Sequence, residues 1–258
     1  MEGAFLYKIL VYPVKSLPPV EVLEASVTGY GTLEWDRFYA IVDRHGVIVN
    51  GKRERKIHLV RARFDLREGL IILSRPGDKR DDVYHLDEER DRVGEWLTRF
   101  LGYEVKLVKD QRGLPDDTRN NGPTVVSTST LAEVSSWFRG WDLAQARLRF
   151  RPNLEVMGVE AFWEDKLYYG GGRGARFRIG PVTLEGRGIS KRCVVPSRDP
   201  CTGVATPGFQ KELSRRRKPM LMGKYPEDDH GYRLILNTVV VDGYGSILRV
   251  GDRVDVLG

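Results

Sequence analysis

The residues best suited to chemistry gather around Cys193. The stretch Arg187-Gly-Ile-Ser-Lys-Arg-Cys193-Val-Val-Pro-Ser-Arg-Asp199-Pro-Cys201-Thr-Gly203 sets a thiol among Arg187, Lys191, Arg192 and Arg198, then follows it with a tight Asp-Pro-x-Thr-Gly turn. A neighbouring guanidinium or ammonium favours thiolate over thiol, and thiolate is the form that binds metals or attacks electrophiles. A cysteine serving only as a small hydrophobe sits more naturally in an apolar run. Other cationic clusters fall at 52–56, 147–151, 173–178 and 215–218. Scattered arginines that converge on folding suit a small anionic ligand. No DNA- or RNA-binding motif accompanies them, so the net charge of +6 points to no nucleic-acid partner.

Several chemistries drop out on spacing. Gly170-Gly-Gly-Arg-Gly174 lacks the pattern and trailing Lys-Ser/Thr of a phosphate loop and reads as a flexible turn. His45, His58, His85 and His230 are scattered without zinc-ligand spacing. Cys193 and Cys201 form no Cys-x-x-Cys motif, and two cysteines are too few for a secreted disulfide scaffold. Met1–Lys8 lacks the basic and apolar regions of a signal peptide, and no apolar run approaches a bilayer span. A reducing cytoplasm is therefore the expected compartment, with no membrane span.

The elements that must position Cys193 are mostly short strands. Phe5–Tyr12, Val20–Val27, Phe38–Val42, Ile57–Phe64 and Leu70–Leu73 are rich in β-branched and aromatic residues, and Asp43-Arg-His-Gly46 reads as a hairpin turn. Glu88–Leu101 is helical, with Val93, Trp96, Leu97, Phe100 and Leu101 on one face and Gly102 as its stop. Asp110–Gly122 reads as a connecting loop and domain boundary. Thr130-Leu-Ala-Glu133 fits a capping box, and Pro207–Arg217 a further short helix. Strands are expected at Asn153–Met157, Arg176–Ile179, Val182–Glu185, Arg192–Val195, Leu234–Val241 and Arg253–Leu257. The fold class is mainly β (α+β): two interlocked antiparallel β-barrel-like domains with a few short helices.

Ordered motifs give the chain a family resemblance. They are Tyr12-Pro-Val-Lys-Ser16, Trp35-Asp-Arg-Phe-Tyr39, Phe150-Arg-Pro-Asn153, Phe162-Trp-Glu-Asp165, Phe177-Arg-Ile-Gly180, Ser190-Lys-Arg-Cys193 with Asp199-Pro-Cys-Thr-Gly203, Gly231-Tyr232 and Val250-Gly-Asp252. Together they resemble MOSC-domain proteins, the module named for the C-terminal domain of molybdenum cofactor sulfurase. The resemblance implies an N-terminal MOSC-associated β-barrel domain over 1–110 and a MOSC domain over 111–258, closest in pattern to the amidoxime-reducing components and their bacterial counterparts.

By that resemblance Cys193 supplies a thiolate to the metal of a molybdenum cofactor (Mo-molybdopterin). Soft thiolate suits a soft, redox-active centre. Lys15, Ser16, Arg37, Ser127, Thr128, Arg151, Asn153, Arg192 and Tyr232 stand, by motif position, where the pterin's phosphate and heteroatoms are held. The implied activity is two-electron oxygen-atom removal from a small N-hydroxylated or N-oxide substrate. Electrons are expected from a separate ferredoxin- or cytochrome-type protein with its reductase. The alternative is a cofactor carrier or sulfur-transfer module, with a persulfide on Cys193 and no turnover of its own. The chain departs from the family where Cys201 replaces the usual Asp and where Lys191 replaces a relative's Ser.

Overall fold

The computed structural model describes residues 3–113, 122–226 and 229–257. Strand β1 (Phe5–Val11) buries Leu6, Ile9, Leu10 and Val11 and pairs antiparallel with β2 (Val20–Val22). A short β3 (Glu24–Ser26) follows, and β4 (Tyr39–Asp43) leads into the expected 43–46 turn, where Gly46 takes φ +74°. Residues 55–59 form one 3-10 turn instead of opening the strand expected over Ile57–Phe64. The Glu54 carboxylate accepts from the Lys56 amide at 2.8 Å and so caps a helical turn that β-branched content alone would not predict. The strand proper is β5 (Arg61–Asp65), which joins β6 (Leu70–Ser74) and β7 (Asp82–His85) in a three-stranded meander.

Helix α1 (Arg90–Leu101) buries Val93, Trp96, Leu97 and Leu101, as their spacing predicts, and Gly102 ends it at φ +90°. Strand β8 (Val105–Lys109) returns antiparallel to β4. Residues between Val14 and Leu107 bury one apolar core of their own. Of the loop expected over Asp110–Gly122, residues 114–121 lie outside the described residues.

The second half begins with β9 (Val125–Ser127) and α2 (Thr128–Ser136). Helix α2 starts ahead of the Thr130 capping box, because the Ser127 hydroxyl already accepts from the Thr130 amide at 3.0 Å. Helix α3 (Leu143–Phe150) was not expected; Asp142 caps it by accepting from the Gln145 amide at 2.7 Å. Next come β10 (Leu154–Met157), β11 (Tyr168–Gly170), β12 (Arg173–Gly174), β13 (Arg176–Ile179) and β14 (Val182–Lys191). Helix α4 (Phe209–Met220), β15 (Arg233–Asp242), β16 (Ile247–Arg249) and β17 (Val254–Val256) complete the chain.

The main sheet has eight strands in the order β17-β13-β14-β15-β9-β10-β1-β2. Its N-terminal strands pack in one core with strands of the second half, which is the interlocking the sequence predicts. The chain is mainly strand, as expected, but the sheets are open and not closed into barrels, and the β9–β10 pair is parallel. At Gly186 on β14 an added Cβ would lie 2.1 Å from the Leu167 carbonyl oxygen, so only glycine lets the chain pass there. The main sheet loses its strand just before Cys193. The Arg192 amide still bonds the Tyr232 carbonyl at 2.9 Å, but residues 195–197 turn as a 3-10 helix, because Pro196 has no N–H to offer a ladder. The strand expected over Arg192–Val195 therefore does not form. Among the described residues no helix is long and apolar enough to cross a membrane.

Candidate functional site

Cys193 stands at the point where β14 leaves the sheet, and two bonds fix it there. The Val195 amide donates to Cys193 Sγ at 3.5 Å, and the Tyr232 hydroxyl donates to the Cys193 carbonyl at 3.0 Å. The thiol is half-buried, and it is free. It lines a cavity of about 650 Å³, within the range of a small-molecule site. After the 3-10 turn the chain doubles back over the predicted Asp199–Gly203 turn. Asp199 Oδ1 accepts from the amides of Cys201 at 2.9 Å and Thr202 at 2.8 Å, and Gly203 closes the turn at φ +66°. Cys201 is thereby brought to the same cavity wall, exposed and free.

The charge of this cavity is one-sided. Lys15, Arg37, Arg151, Arg192 and Lys191 line it around the thiol. Lys52, Arg61, Arg63, Arg149 and Arg198 line it further round, and among the described residues no Asp or Glu does. Arg151 reaches the Leu17 carbonyl at 2.8 Å and lies 4.1 Å from the Tyr12 ring centroid; Arg37 sits over the same ring at 4.9 Å. Arg192 donates to the Phe150 carbonyl at 2.7 Å, while its Nε has no partner among the described residues. Desolvation draws the Arg151 guanidinium down to about 10, so it stays protonated at neutral pH, and lowers Arg192 as well. Two guanidiniums answered by carbonyls rather than carboxylates are held ready for an anion.

Backbone strain gathers here too. Six non-glycine residues among those described take left-handed φ, and three of them, Ser16 at 71°, Arg37 at 56° and Arg151 at 56°, line this cavity. Such conformations cost about 1–2 kcal/mol each and persist where the surroundings over-determine them, often at functional sites.

Seven of the residues singled out from sequence thus converge: Cys193, Lys15, Ser16, Arg37, Arg151, Asn153 and Arg192 all line the cavity. Asn153 has its amide in use by the protein. Its Oδ1 accepts from Thr124 Oγ1 at 3.0 Å and its Nδ2 donates to the Leu10 carbonyl at 3.0 Å, so it fixes β1 to β10 beneath the arginines. Tyr232 does not line the cavity and acts on Cys193 through the carbonyl bond already described. Ser127 and Thr128 are drawn elsewhere: the Ser127 hydroxyl caps α2, and Thr128 Oγ1 donates to Glu155 Oε1 at 2.8 Å.

Sequence reasoning missed several cavity residues. Arg149 is 4% exposed, packs on Trp141 and donates to the Pro196 carbonyl at 3.2 Å, which secures the segment after Cys193. Arg198 donates to the Gly51 carbonyl at 2.6 Å, and Arg61 to that of Cys201 at 3.1 Å, each crossing between the two halves. Arg149 stood in the basic cluster at 147–151 and Arg198 among the cations around Cys193, but neither was singled out as a site residue, and Arg61 lay in no cluster at all.

Residues 3–104 match the model of the MOSC N-terminal beta barrel domain. The chain is 30% identical over 233 residues to mitochondrial amidoxime-reducing component 1 of Danio rerio, covering 76% of this chain and 69% of that protein. It is 24% identical over 299 residues to the human component 1, covering 97% and 82%. To human molybdenum cofactor sulfurase it is 22% identical over 271 residues, covering 84% of this chain but only 30% of that protein. The chain spans less than a third of the sulfurase it matches, whereas it spans most of the amidoxime-reducing components. A matched barrel region, and a relative aligned over more than two thirds of its length at 30% identity, place the chain in the MOSC-domain family.

Proposed function

We propose that this chain binds a molybdenum cofactor through Cys193 and reduces small N-hydroxylated or N-oxide substrates. The observation that carries the reading is a free thiol in the wall of a cavity lined by ten cationic side chains and no acidic one among the described residues. Such a cavity fits a ligand that brings phosphate and its own soft donors. No cluster of three or more His, Cys, Asp or Glu that could hold a metal ion occurs among the described residues. In this reading a metal at this cavity takes one thiolate, that of Cys193, from the chain and its remaining ligands from the cofactor.

Each side chain has a distinct task in this reading. Cys193 anchors the metal, and Arg151 and Arg192 meet the phosphate with donors that no carboxylate engages. Lys15, Ser16 and Arg37 face the pterin, with Arg37 kept in place by its ion pair to Asp36. Asn153 and Tyr232 position the anchoring groups. When bound, the cofactor supplies a two-electron centre that accepts oxygen. Overall the substrate N–O bond breaks, two electrons arrive from a separate electron-transfer protein, two protons are taken up and water leaves. Purified protein expressed with cofactor is expected to hold about one molybdenum per chain and to reduce an arylamidoxime with an artificial electron donor. Absence of both the metal and the turnover overturns the reading.

One observation favours a second reading, that of a cofactor carrier or sulfur-transfer module. Cys201 puts a second free, exposed thiol on the wall that holds Cys193. A persulfide on Cys193 by mass spectrometry, with readily lost cofactor and no reductase turnover, selects it.

A further inference from the structure

The cavity has a second cationic group, away from the thiol. Lys52, Arg61 and Arg198 come from three separate segments: the loop after Asn50, strand β5 and the segment after the 3-10 turn. Arg198, from the second half, is anchored on Gly51 of the first, while Arg61, from the first half, is anchored on Cys201 of the second. Each guanidinium thus has one donor held by a neutral carbonyl, and neither has an ion pair among the described residues. Lys52 is exposed, and its ammonium has no partner among the described residues. Arg63 beside them is answered by Asp81 and stands apart from this group. His58 also lines this wall. Burial first, then Arg198 and Arg151 beside it, hold its imidazole below the ordinary value.

We infer that Lys52, Arg61 and Arg198 form a subsite for an anionic group on the substrate, a carboxylate or a phosphate monoester. The inference rests on the reductase reading and deepens it. The substrate class becomes an N-hydroxylated small molecule that carries a negative charge away from its N–O bond. The two cationic groups differ in their place on the wall: Arg192 adjoins Cys193 in sequence and Arg151 stacks on Tyr12, whereas Arg61 and Arg198 are tied to the segments around Cys201 and Gly51. All four arginines are half-buried, and Lys52 is exposed, so an anion held between Lys52, Arg61 and Arg198 has one partner open to solvent. Because the fold already orders both guanidiniums, little further ordering opposes binding.

The test compares an arylamidoxime with its para-carboxylate on the molybdenum-loaded protein. The wild-type chain is expected to favour the carboxylate at least tenfold in kcat/KM. In the double variant Lys52→Ala/Arg61→Gln, kcat/KM for the carboxylate falls about hundredfold or more, the size of two lost charge-assisted hydrogen bonds at about tenfold or more each. The neutral compound changes at most twofold, and molybdenum content stays the same. Equal treatment of the two compounds by the wild-type chain, or equal loss for both in the variant, overturns the inference. So does loss of molybdenum from the variant, or release of a nucleotide on denaturation, since either assigns these cations to the cofactor. A second measurement needs no turnover: calorimetry of inorganic phosphate with the loaded protein. Binding that weakens with salt and disappears in the double variant supports the subsite even if neither amidoxime is reduced, in which case only the reductase reading falls. No phosphate binding by the wild-type chain overturns the subsite itself.

Discussion

Two arginines, Arg217 and Arg192, show what separates a structural cation from a waiting one. Arg217 on α4 is fully buried, and its Nη2 meets Asp165 Oδ1 at 2.8 Å while its Nε donates to the Arg233 carbonyl. Phe162 covers the guanidinium at 4.5 Å. Its charge is cancelled where it stands. Arg192, just past the end of β14, has carbonyl and hydroxyl partners but, among the described residues, no partner for its Nε and no carboxylate. By composition each is one member of a basic run, and only the motif around Cys193 sets Arg192 apart. A buried charge is either compensated by the fold or left for a ligand to compensate.

The largest effect should come from the thiol at the centre of the uncompensated region. Cys193→Ser is expected to abolish both molybdenum content and turnover. Cys201→Asp, which restores the residue usual in the family, should leave molybdenum content largely intact. Elemental analysis of the two purified variants decides this. If the Cys201 change removes molybdenum and the Cys193 change is tolerated, the ligand assignment is wrong.

The arginine comparison itself predicts opposite phenotypes. Arg217→Met strands Asp165 in the interior and should cost about 3–5 kcal/mol, some 10 °C in Tm, with cofactor still bound by the folded fraction. Arg192→Met removes two hydrogen bonds and should cost only about 1 kcal/mol in the cofactor-free protein. Its main effect is on cofactor retention. Melting curves paired with molybdenum analysis separate the two. Equal destabilisation would mean that Arg192 is as structural as Arg217.

The compensated region has one imbalance of its own. Glu164 is fully buried; its Oε2 accepts from Thr130 Oγ1 at 3.0 Å, and its Oε1 has no partner among the described residues. Burial, then the neighbouring Asp165, pushes its carboxyl up from 4.5 to about 7. The folded state therefore holds this proton more tightly than the unfolded one. Its contribution to stability is fully present below about pH 4.5 and is lost as pH rises towards 7. Glu164→Gln should remove that slope. Relative to the wild-type chain the variant gains about 3 kcal/mol between pH 4.5 and 7.5, read from denaturant midpoints across the range. A flat difference would mean that Glu164 is ionised in the fold.

How much of this could be read in advance follows the same division. Cys193, its cationic neighbours and the Asp199–Gly203 turn were legible because they are local in sequence, and α1 because its apolar spacing is regular. Arg61 was not, and Arg198 was legible only as a neighbour of the thiol, since each finds its partner more than a hundred residues away, at Cys201 and Gly51. Helix α3 was hidden because Arg147 and Arg149 read as a basic cluster, although they are the helical cations that reach Glu155 and the Pro196 carbonyl. Motif position carried Ser127 and Thr128 towards the site, but helix capping and Glu155 claim their hydroxyls. Asn153 lines the cavity that the motif residues share. Only its partners show that its amide already serves the protein.

The smallest expected effect tests whether the cavity's backbone is strained for the sake of its side chains. Arg151 caps α3 in the left-handed conformation that glycine usually fills, at φ 56° and ψ 54°, its amide bonding the Arg147 carbonyl at 2.8 Å. Replacing the arginine by glycine or by alanine removes the same guanidinium, the same bond to Leu17 and the same stacking on Tyr12. The two variants therefore differ in backbone preference alone. At an ordinary helical position alanine is favoured over glycine by about 1 kcal/mol. Here the order should reverse: Arg151→Gly is expected to be more stable than Arg151→Ala by about 1 kcal/mol in the cofactor-free protein. Both variants should retain cofactor poorly, because neither carries the charge. A measured preference for alanine in thermal unfolding would show that this backbone is relaxed, leaving the site to rest on charge without stored strain.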